Sequence, residues 1–195
     1  MSPAQPGADP LWSMLAARAP VTAPPDPFRR QAAVLLPLFN NTRDYHMVFT
    51  KRTDTLTHHK GQVSFPGGSF EPSDGDLLTT ALRESYEEVG IHPDDVTILG
   101  RLDDFSSFST SFTISPFVGL IPHPYVFRPN PIEVAVVFDV PLSVLADPAV
   151  GRSYVRTRED GATLIDYEFH VQGHVIWGAT ARIIRHFLSV INGES

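Results

Sequence analysis

A glycine pair followed by an acidic helical segment constrains this chain more than any other feature. Pro66-Gly67-Gly68 lies upstream of Arg83-Glu84-Ser85-Tyr86-Glu87-Glu88-Val89-Gly90-Ile91. An α-helix turns about 100° per residue, so Glu88 lies about 40° to one side of Glu84 and Glu87 about 60° to the other. Three like charges on one helical face repel each other unless a positive group lies among them. The set is either a solvated acidic face or a site for a hard divalent cation such as Mg²⁺ or Mn²⁺.

The apolar residues around these glutamates predict an amphipathic helix from about Asp76 to Val89. Its apolar stripe is centred about 120° from Glu84 and consists of Leu78, Ala81, Leu82, Ser85 and Val89. Gly90 suits the C-terminal cap, where a left-handed conformation is common. We therefore expect one face of the helix to pack on the core and another to present carboxylates.

The composition narrows the chemistry. A chain of 195 residues favours one domain with enough length to bury a core. It has no cysteine, so disulfides, zinc–thiolate sites and cysteine nucleophiles are excluded, and any metal must be held by oxygen or imidazole. The formal net charge of −7 argues against a nucleic-acid scaffold. A polyanionic substrate would need metal ions or a few placed Arg, Lys and His side chains.

Nothing in the sequence resembles a targeting or membrane segment. No apolar run approaches the roughly 18 residues of a membrane span, and the N-terminus lacks the basic start and apolar core of a secretory signal. We therefore expect a cytoplasmic enzyme that acts on a small molecule, without nucleic-acid or membrane partners. A homodimer is compatible with the sequence.

The N-terminal residues differ in composition from the rest of the chain. Residues 1–27 are rich in Pro and Ala, although 11–17 could form two turns of helix. We interpret 1–27 as an arm that lies over the domain or over a partner subunit, with a flexible tail as the alternative. Residues 28–195 are expected to form a single domain.

Apolar runs between turn residues predict the remaining elements. The expected strands are 31–39, 45–51, 62–65, 96–105, 112–121, 132–140, 154–158 and 164–171. The β-branched run 132–140 is expected to be buried, and 154–158 with 164–171 to form a hairpin around 159–162. Helices are expected to start at Pro141 and to close the chain over 176–191, with Trp177 in the core rather than at an adenine-stacking surface. Many strands and few helices in mixed order indicate an α+β or α/β sandwich.

The segment from Gly68 to Ile91 resembles the Nudix box. That pattern is Gly, five residues, Glu, seven residues, then Arg-Glu-aliphatic-x-Glu-Glu-x-Gly-aliphatic. The second half matches except at Ser85, where an aliphatic residue is usual. Counted from Gly68, the acid six positions on is Asp74, and eight residues separate it from Arg83, as one extra residue near the helix start would explain. The roles of Glu71 and Asp74 stay open.

The resemblance implies the Nudix fold, a mixed sheet sandwiched between helices (α/β/α), and hydrolysis of a nucleoside diphosphate linked to another moiety. It also implies that Mg²⁺ or Mn²⁺ is bound by the backbone carbonyl of Gly68 and by the carboxylates Glu84, Glu87 and Glu88. Arg83 is expected to orient the box by pairing with a carboxylate, and direct phosphate contact is the alternative.

The general base stays open at this point. Glu84 is one candidate, because a carboxylate beside a metal-bound water can take its proton. Glu133 is the other, since it opens an apolar strand where an unpaired acid is costly to bury; a solvent-facing acid at a strand end is the alternative. Glu71 could instead orient a ligand.

A second pattern upstream resembles the extra signature of the coenzyme A pyrophosphatase branch of the Nudix family. Thr50, Gly61 and the run 65–68 match it, whereas Thr57 stands where arginine is usual. Further similar segments lie downstream, so the resemblance spans about residues 30–190. It implies cleavage of coenzyme A, and of acyl or oxidised forms, to 3′,5′-ADP and 4′-phosphopantetheine.

Cations near this pattern are candidates for the substrate phosphates. The densest local group of basic side chains is Arg52, His58, His59 and Lys60. The alternative is that these residues belong to a solvated polar loop. Two other functions remain open: hydrolysis of another dinucleotide such as ADP-ribose or NADH, and a non-catalytic Nudix-like domain that senses a nucleotide.

Overall fold

The computed structural model describes residues 10–54, 60–106, 111–157, 161 and 163–194. The helices are α1 (Pro10–Ala16), α2 (Leu77–Val89), α3 (Leu142–Leu145) and α4 (Gly178–Ile191). The strands are β1 (Arg30–Asn40), β2 (Tyr45–Arg52), β3 (Val63–Ser64), β4 (Gly67–Ser69), β5 (Thr97–Arg101), β6 (Phe105–Ser106), β7 (Phe112–Leu120), β8 (Val134–Pro141), β9 (Gly151–Thr157), β10 (Thr163–Val171) and β11 (His174–Trp177).

Strand β1 forms the centre of the larger sheet. It pairs in parallel with β7 and antiparallel with β2 and β4. Strand β2 also pairs with β3 and β8, and β7 with β5 and β6, all antiparallel. A second, antiparallel sheet has the order β11-β10-β9. The mixed sheet that the resemblance implied is confirmed.

Helices cover both faces of β1. Alternate residues of a strand point to opposite faces. Ala33 and Leu35 accordingly pack in one cluster with residues of α2. Leu36 and Leu38 pack in another cluster with residues of α1 and α4, such as Phe187. The layering is therefore α/β/α, as the resemblance implied.

The described part of the N-terminal segment lies on the domain. Leu11 and Leu15 of α1 are buried in the same cluster as α4. Beyond the helix, Asp103 accepts hydrogen bonds from the Arg18 guanidinium at 2.6 Å and from the Val21 N–H at 2.7 Å. These contacts fasten the chain after α1 to the loop that follows β5.

Local signals in the sequence set both ends of α2. Asp76 is the N-cap, and its carboxylate accepts a hydrogen bond from the Thr79 N–H at 2.7 Å. Gly90 ends the helix in the left-handed conformation, with φ of 73°. The predicted helix and its buried stripe are confirmed, since Ala81, Ser85 and Val89 are all buried.

The prediction of a buried strand at 132–140 is wrong. Val134 and Val140 are buried, but 41% of Val136 is exposed. Strand β8 pairs with β2 alone among the described strands, so it lies at an edge of the sheet. A run of β-branched residues favours a strand but does not tell whether it has one neighbour or two.

The prediction that the last helix starts at Ile176 is also wrong. Ile176 and Trp177 end β11, where they pair with Phe169 and Glu168 of β10. The helix begins at Gly178, whose φ of +67° turns the chain out of the strand. The 154–158 and 164–171 strands do form an antiparallel pair, although most of their predicted turn lies outside the described residues. No helix in the described part of the chain is long and apolar enough to cross a bilayer.

Candidate active site

Glycine is needed at the point where β4 passes the acidic helix. Gly68 pairs with Ala33 of β1, which holds the β4 backbone in front of α2. A Cβ atom at Gly68 would lie 2.5 Å from the carboxyl carbon of Glu84 and 2.6 Å from each of its oxygens. A side chain at this position would displace the Glu84 carboxylate, which lies directly against the bare backbone of the strand.

Glu88 is the deepest of the acidic side chains on α2. Only 4% of the residue is exposed. Its carboxylate accepts a hydrogen bond from the Gly67 N–H at 3.2 Å and lies 3.5 Å from the Arg52 guanidinium. Burial nevertheless raises the pKa of Glu88 to about 8, because these two partners offset only part of the cost of desolvation. A further positive charge beside this carboxylate would stabilise its ionised form.

Arg83 holds three carboxylates of the box together. Its Nε donates to Asp74 at 2.7 Å, and its Nη1 lies 2.9 Å from Glu84 and 3.2 Å from Glu87. The hydrogen bond from Arg83 holds the pKa of Asp74 well below its usual range, although burial acts in the opposite direction. The structure thus makes Asp74 the deep partner of the arginine, a contact that the altered spacing of the box left open.

The other acid before the helix has a local contact. Glu71 precedes the short 3₁₀ turn Pro72–Asp74, and the backbone N–H of Glu71 donates to the Asp74 carboxylate at 3.0 Å. This bond fixes the turn that presents Asp74 to Arg83. Within the described contacts, Glu71 therefore supports the box through its backbone and through its capping of the turn.

Glu133 approaches the same carboxylates from a different part of the chain. The loop before β8 is tied to α2, since the Asn130 N–H donates to the backbone carbonyl of Glu88 at 2.8 Å. The Asn130 amide also lies 3.5 Å from the Glu133 carboxylate. The charge of Glu133 contributes to raising the pKa of both Glu84 and Glu88, and burial is the larger cause for each. The fold thus brings three acids together from α2 and the start of β8.

Glu87, the third carboxylate expected to bind the metal, has a more open position. Its side chain is 56% exposed and forms an ion pair with Arg83. In the described ranges of the chain, no group of three or more His, Asp or Glu side chains is arranged to hold a metal ion as it stands. The composition of the cluster still fits a hard cation, because buried carboxylate oxygens with a raised pKa lie beside bare backbone.

The candidate phosphate-binding cations have different placements. Arg52 ends β2 beside Glu88, and its Nε is buried with no hydrogen-bond partner in the described part of the chain. Lys60 is exposed in a turn. His58 and His59 lie outside the described residues.

A cleft of about 360 Å³ adjoins the carboxylates through Arg52, Gly67 and Gly68. Trp177 and the first residues of α4 also line it. The expectation that Trp177 belongs to the core is wrong, because 46% of the residue is exposed. The Trp177-Gly178 step could have indicated this, since glycine at that point breaks the helical period that suggested burial.

Comparison with known proteins agrees with the fold and with the acidic helix. The NUDIX domain profile matches residues 29–142. A Nudix hydrolase named NudL from Photorhabdus laumondii is 40% identical over 166 residues, which cover 83% of this chain and 87% of that protein. NudL from Yersinia pestis is 39% identical over 163 residues, 84% of this chain and 80% of that protein.

Two solved structures share the fold at low sequence identity. A MutT/nudix family protein from Enterococcus faecalis aligns with a TM-score of 0.57 and 13% identity, over 87% of this chain and 65% of that one. A NUDIX hydrolase from Alicyclobacillus acidocaldarius aligns with a TM-score of 0.52 and 21% identity, over 62% and 82%.

The chain therefore belongs to the Nudix family of hydrolases, which act on phosphoric anhydride bonds. Hydrolases of this family generally use divalent metals such as Mg²⁺, in keeping with the oxygen-rich donor set around Gly68.

Proposed function

We propose that this protein hydrolyses the diphosphate of coenzyme A, and of acyl or oxidised coenzyme A, to 3′,5′-ADP and 4′-phosphopantetheine. The observation that carries the proposal is the pattern from Thr50 to Gly68, which resembles the signature of coenzyme A pyrophosphatases. The same stretch supplies the site with Arg52, Gly67 and Gly68, which lie between the acidic cluster and the adjoining cleft. The pattern that we take to select the substrate and the acidic cluster that we take to cleave it therefore lie side by side.

Cations in this stretch would bind the substrate phosphates. The Arg52 guanidinium contacts Glu88 through one nitrogen and keeps a buried Nε with no partner among the described residues. Because 27% of the Arg52 side chain is exposed, its guanidinium would donate a charge-assisted hydrogen bond to a phosphate oxygen. We assign the same task to Lys60, His58 and His59, which follow Arg52 along the chain.

The divalent ion would be held by the Gly68 carbonyl and by Glu84, Glu87 and Glu88. Bound there, Mg²⁺ or Mn²⁺ would neutralise the diphosphate oxygens and lower the pKa of the attacking water. Arg83 fixes the directions of Glu84 and Glu87 by bonding to both, and Asp74 fixes Arg83 in turn. We assign Arg83 this orienting role.

Glu133 is the carboxylate best placed to take the proton of the water. Glu84 is occupied by Arg83 at 2.9 Å and Glu88 by the Gly67 N–H at 3.2 Å, whereas Glu133 has only a 3.5 Å contact with Asn130 among the described side chains. As the water oxygen bonds to phosphorus, the bridging P–O bond breaks and Glu133 holds the released proton.

A product assay tests the proposed activity. Purified protein is incubated with coenzyme A, with and without Mg²⁺ or Mn²⁺, and the products are separated and weighed by mass spectrometry. We expect 3′,5′-ADP and 4′-phosphopantetheine in equal amounts, only with the divalent ion, and faster than any cleavage of ADP-ribose or NADH. Faster cleavage of either competitor would reject the coenzyme A assignment.

The Glu133→Gln variant tests the proton acceptor. We expect kcat to fall by about 100-fold or more, with little change in KM, because general base catalysis typically contributes that much. A kcat within a few-fold of the parent protein would transfer the role to Glu84.

A further inference from the structure

We infer that the cleft beside Gly67 and Gly68 binds the adenine base of the substrate, and that Trp177 is the surface on which the base stacks. This inference depends on the proposed function for the identity of the substrate. The argument uses the position of Trp177, the size and lining of the cleft, and the way the cleft joins the acidic cluster.

Trp177 lies where β11 ends and α4 begins. Neighbouring residues of a strand point to opposite faces, and here Ile176 is fully buried whereas Trp177 is 46% exposed. Its indole is therefore turned out of the core and lines the cleft. An indole presented in this way offers a flat π-face to a ligand, and bases stack on such surfaces regardless of their identity.

The cleft has room for one half of a coenzyme A molecule. Its volume of about 360 Å³ is near the lower limit of about 300 Å³ for ligand pockets. Its walls are mainly apolar or aromatic, with side chains such as Val34, Phe65, Phe112, Ile114, Trp177 and Ile183, and the polar side chains Gln62, Ser64, Ser69 and Thr180 also line it. A planar base can stack on the aromatic surface while its ring nitrogens pair with polar groups. The pantetheine arm is a saturated chain with two amides, so it has no π-face to stack on Trp177.

The lining of the cleft relates the base to the bond that is cut. Arg52, Gly67 and Gly68 line the cleft and also contact Glu84 or Glu88. The acids of α2 are not among the described residues that line the cleft. The diphosphate would thus lie beside Arg52, Gly67 and Gly68, and the base against Trp177.

The start of α4 adds to this preference. Trp177 is its N-cap residue, and an indole has no acceptor with which to cap the first turn. The amino-terminal end of a helix favours negative charge. The adenosine half of coenzyme A brings a 3′-phosphate to this region, whereas the pantetheine half carries no phosphate beyond the one at the cut.

Tryptophan fluorescence tests the inference directly. The chain has two tryptophans, and Trp12 of α1 packs partly buried against the core. The Trp12→Phe variant makes Trp177 the sole tryptophan, and its emission can be excited selectively over that of the tyrosines. We expect 3′,5′-ADP to quench its emission in a saturable way and 4′-phosphopantetheine to leave it unchanged. Quenching by 4′-phosphopantetheine alone, or by neither compound, would overturn the inference.

Substitution of Trp177 provides the second measurement. We expect Trp177→Leu to weaken 3′,5′-ADP binding about tenfold by calorimetry, a typical loss for one stacking partner, and to raise KM for coenzyme A similarly. Trp177→Phe keeps an aromatic face and should recover most of the affinity. Val175→Ala is the matched control, since Val175 is 44% exposed on the same face of β11 but does not line the cleft. Equal affinities for Trp177→Leu and the parent protein would overturn the inference.

These results separate the inference from the proposed function. If the protein binds 3′,5′-ADP through Trp177 but does not cleave coenzyme A, the base site stands and the proposed activity fails. If it cleaves coenzyme A while Trp177→Leu binds 3′,5′-ADP as tightly as the parent protein, the activity stands and the base site fails.

Discussion

Helices α2 and α4 cover opposite faces of the same sheet, but different forces hold them there. The buried residues of α2 include three polar ones, and these are Thr80, Ser85 and Glu88. The buried residues of α4 are all apolar, and they are Ala181, Ile183, Ile184, Phe187, Leu188 and Val190. Directional hydrogen bonds help to position α2, whereas the packing of apolar side chains mainly positions α4.

The polar contacts of α2 give it one exact register against the sheet. Thr80 donates to Asp74 at 2.8 Å, and Glu88 accepts from Gly67 at 3.2 Å. Ser85, which replaces the usual aliphatic residue, donates to the Ala81 carbonyl at 2.6 Å and so satisfies itself within the helix. Hydrogen bonds depend steeply on geometry. The helix that carries the proposed chemistry is therefore the one whose position is fixed most narrowly.

The largest expected effect is on catalysis, from Glu88→Gln in α2. We expect turnover to fall at least about 1000-fold, because a metal site supplies several kcal/mol of transition-state stabilisation and each 1.36 kcal/mol is a factor of ten. Gln keeps an acceptor for the Gly67 N–H and replaces a buried acid whose pKa is raised to about 8 because its ionised form is costly to bury, so the melting temperature should not fall. Steady-state kinetics and circular dichroism melting measure the two quantities.

The matched control for this variant is Glu87→Gln, at the neighbouring position about 100° around the helix on the same acidic face. Glu87 is 56% exposed, so its loss should reduce turnover less than the loss of Glu88. Retained metal-stimulated turnover in Glu88→Gln would defeat the assignment of α2 as the metal-binding helix.

The next effect, on stability, comes from Phe187→Ala in α4. Phe187 is fully buried, and a phenylalanine-to-alanine change in a core costs about 3–5 kcal/mol. Denaturant unfolding should show this loss in the free energy of unfolding. The folded fraction of the Phe187→Ala variant should have a kcat within a few-fold of that of the parent protein. A decrease in the free energy of unfolding below about 1 kcal/mol would mean that the packing of Phe187 does not position α4.

The sequence predicted α2 well because its signals are local. An N-cap aspartate, an apolar stripe and a C-terminal glycine define a helix without help from distant residues. The strands predicted over 31–39 and 45–51 are also present, and they form a neighbouring antiparallel pair. Glu84, Glu88 and Glu133 were all candidates from the sequence, and the fold brings them close to one another.

Features set by distant pairing were harder to predict. Ile176 and Trp177 fit a helical period as well as a strand, and only the pairing with β10 decides between them. The edge position of β8 likewise depends on which strands lie beside it. Asp74 could not be assigned to Arg83 from spacing alone, since an extra residue made Glu71 and Asp74 equal candidates.

A smaller catalytic effect is expected from Asp74→Asn, which breaks the contact that orients α2. Asn cannot pair with both Nε and Nη2 of Arg83 as the carboxylate does at 2.7 and 3.2 Å. Loss of a partner behind the ligands typically costs about 10-fold or more in activity or metal affinity. We therefore expect kcat to fall about tenfold, with a weaker dependence on Mg²⁺ measured by titration. The Asp76→Asn variant is the control, because asparagine also caps helices.

The smallest effect concerns His186, the ionisable residue that α4 turns toward the N-terminal segment. Burial lowers the pKa of His186, and Asp103 at 3.3 Å opposes the shift while Arg18 adds to it. A depressed pKa in the folded state means that folding excludes a proton, so this contribution to stability is present above the ordinary histidine pKa of about 6.5 and is lost as the pH falls below it.

The His186→Gln variant should lose less stability than the parent protein as the pH falls. Between about pH 7 and pH 5.5, the melting temperature of the parent protein should fall more than that of the variant, and the two curves should run parallel above pH 7. Burial acts to raise the pKa of Asp103, but its hydrogen bonds from Val21 and Arg18 outweigh this and lower that pKa, so Asp103 does not produce the difference itself. If the melting temperatures of both proteins fell equally with pH, the region between α4 and the N-terminal segment would tolerate a charged imidazole. Apolar packing alone would then position this helix.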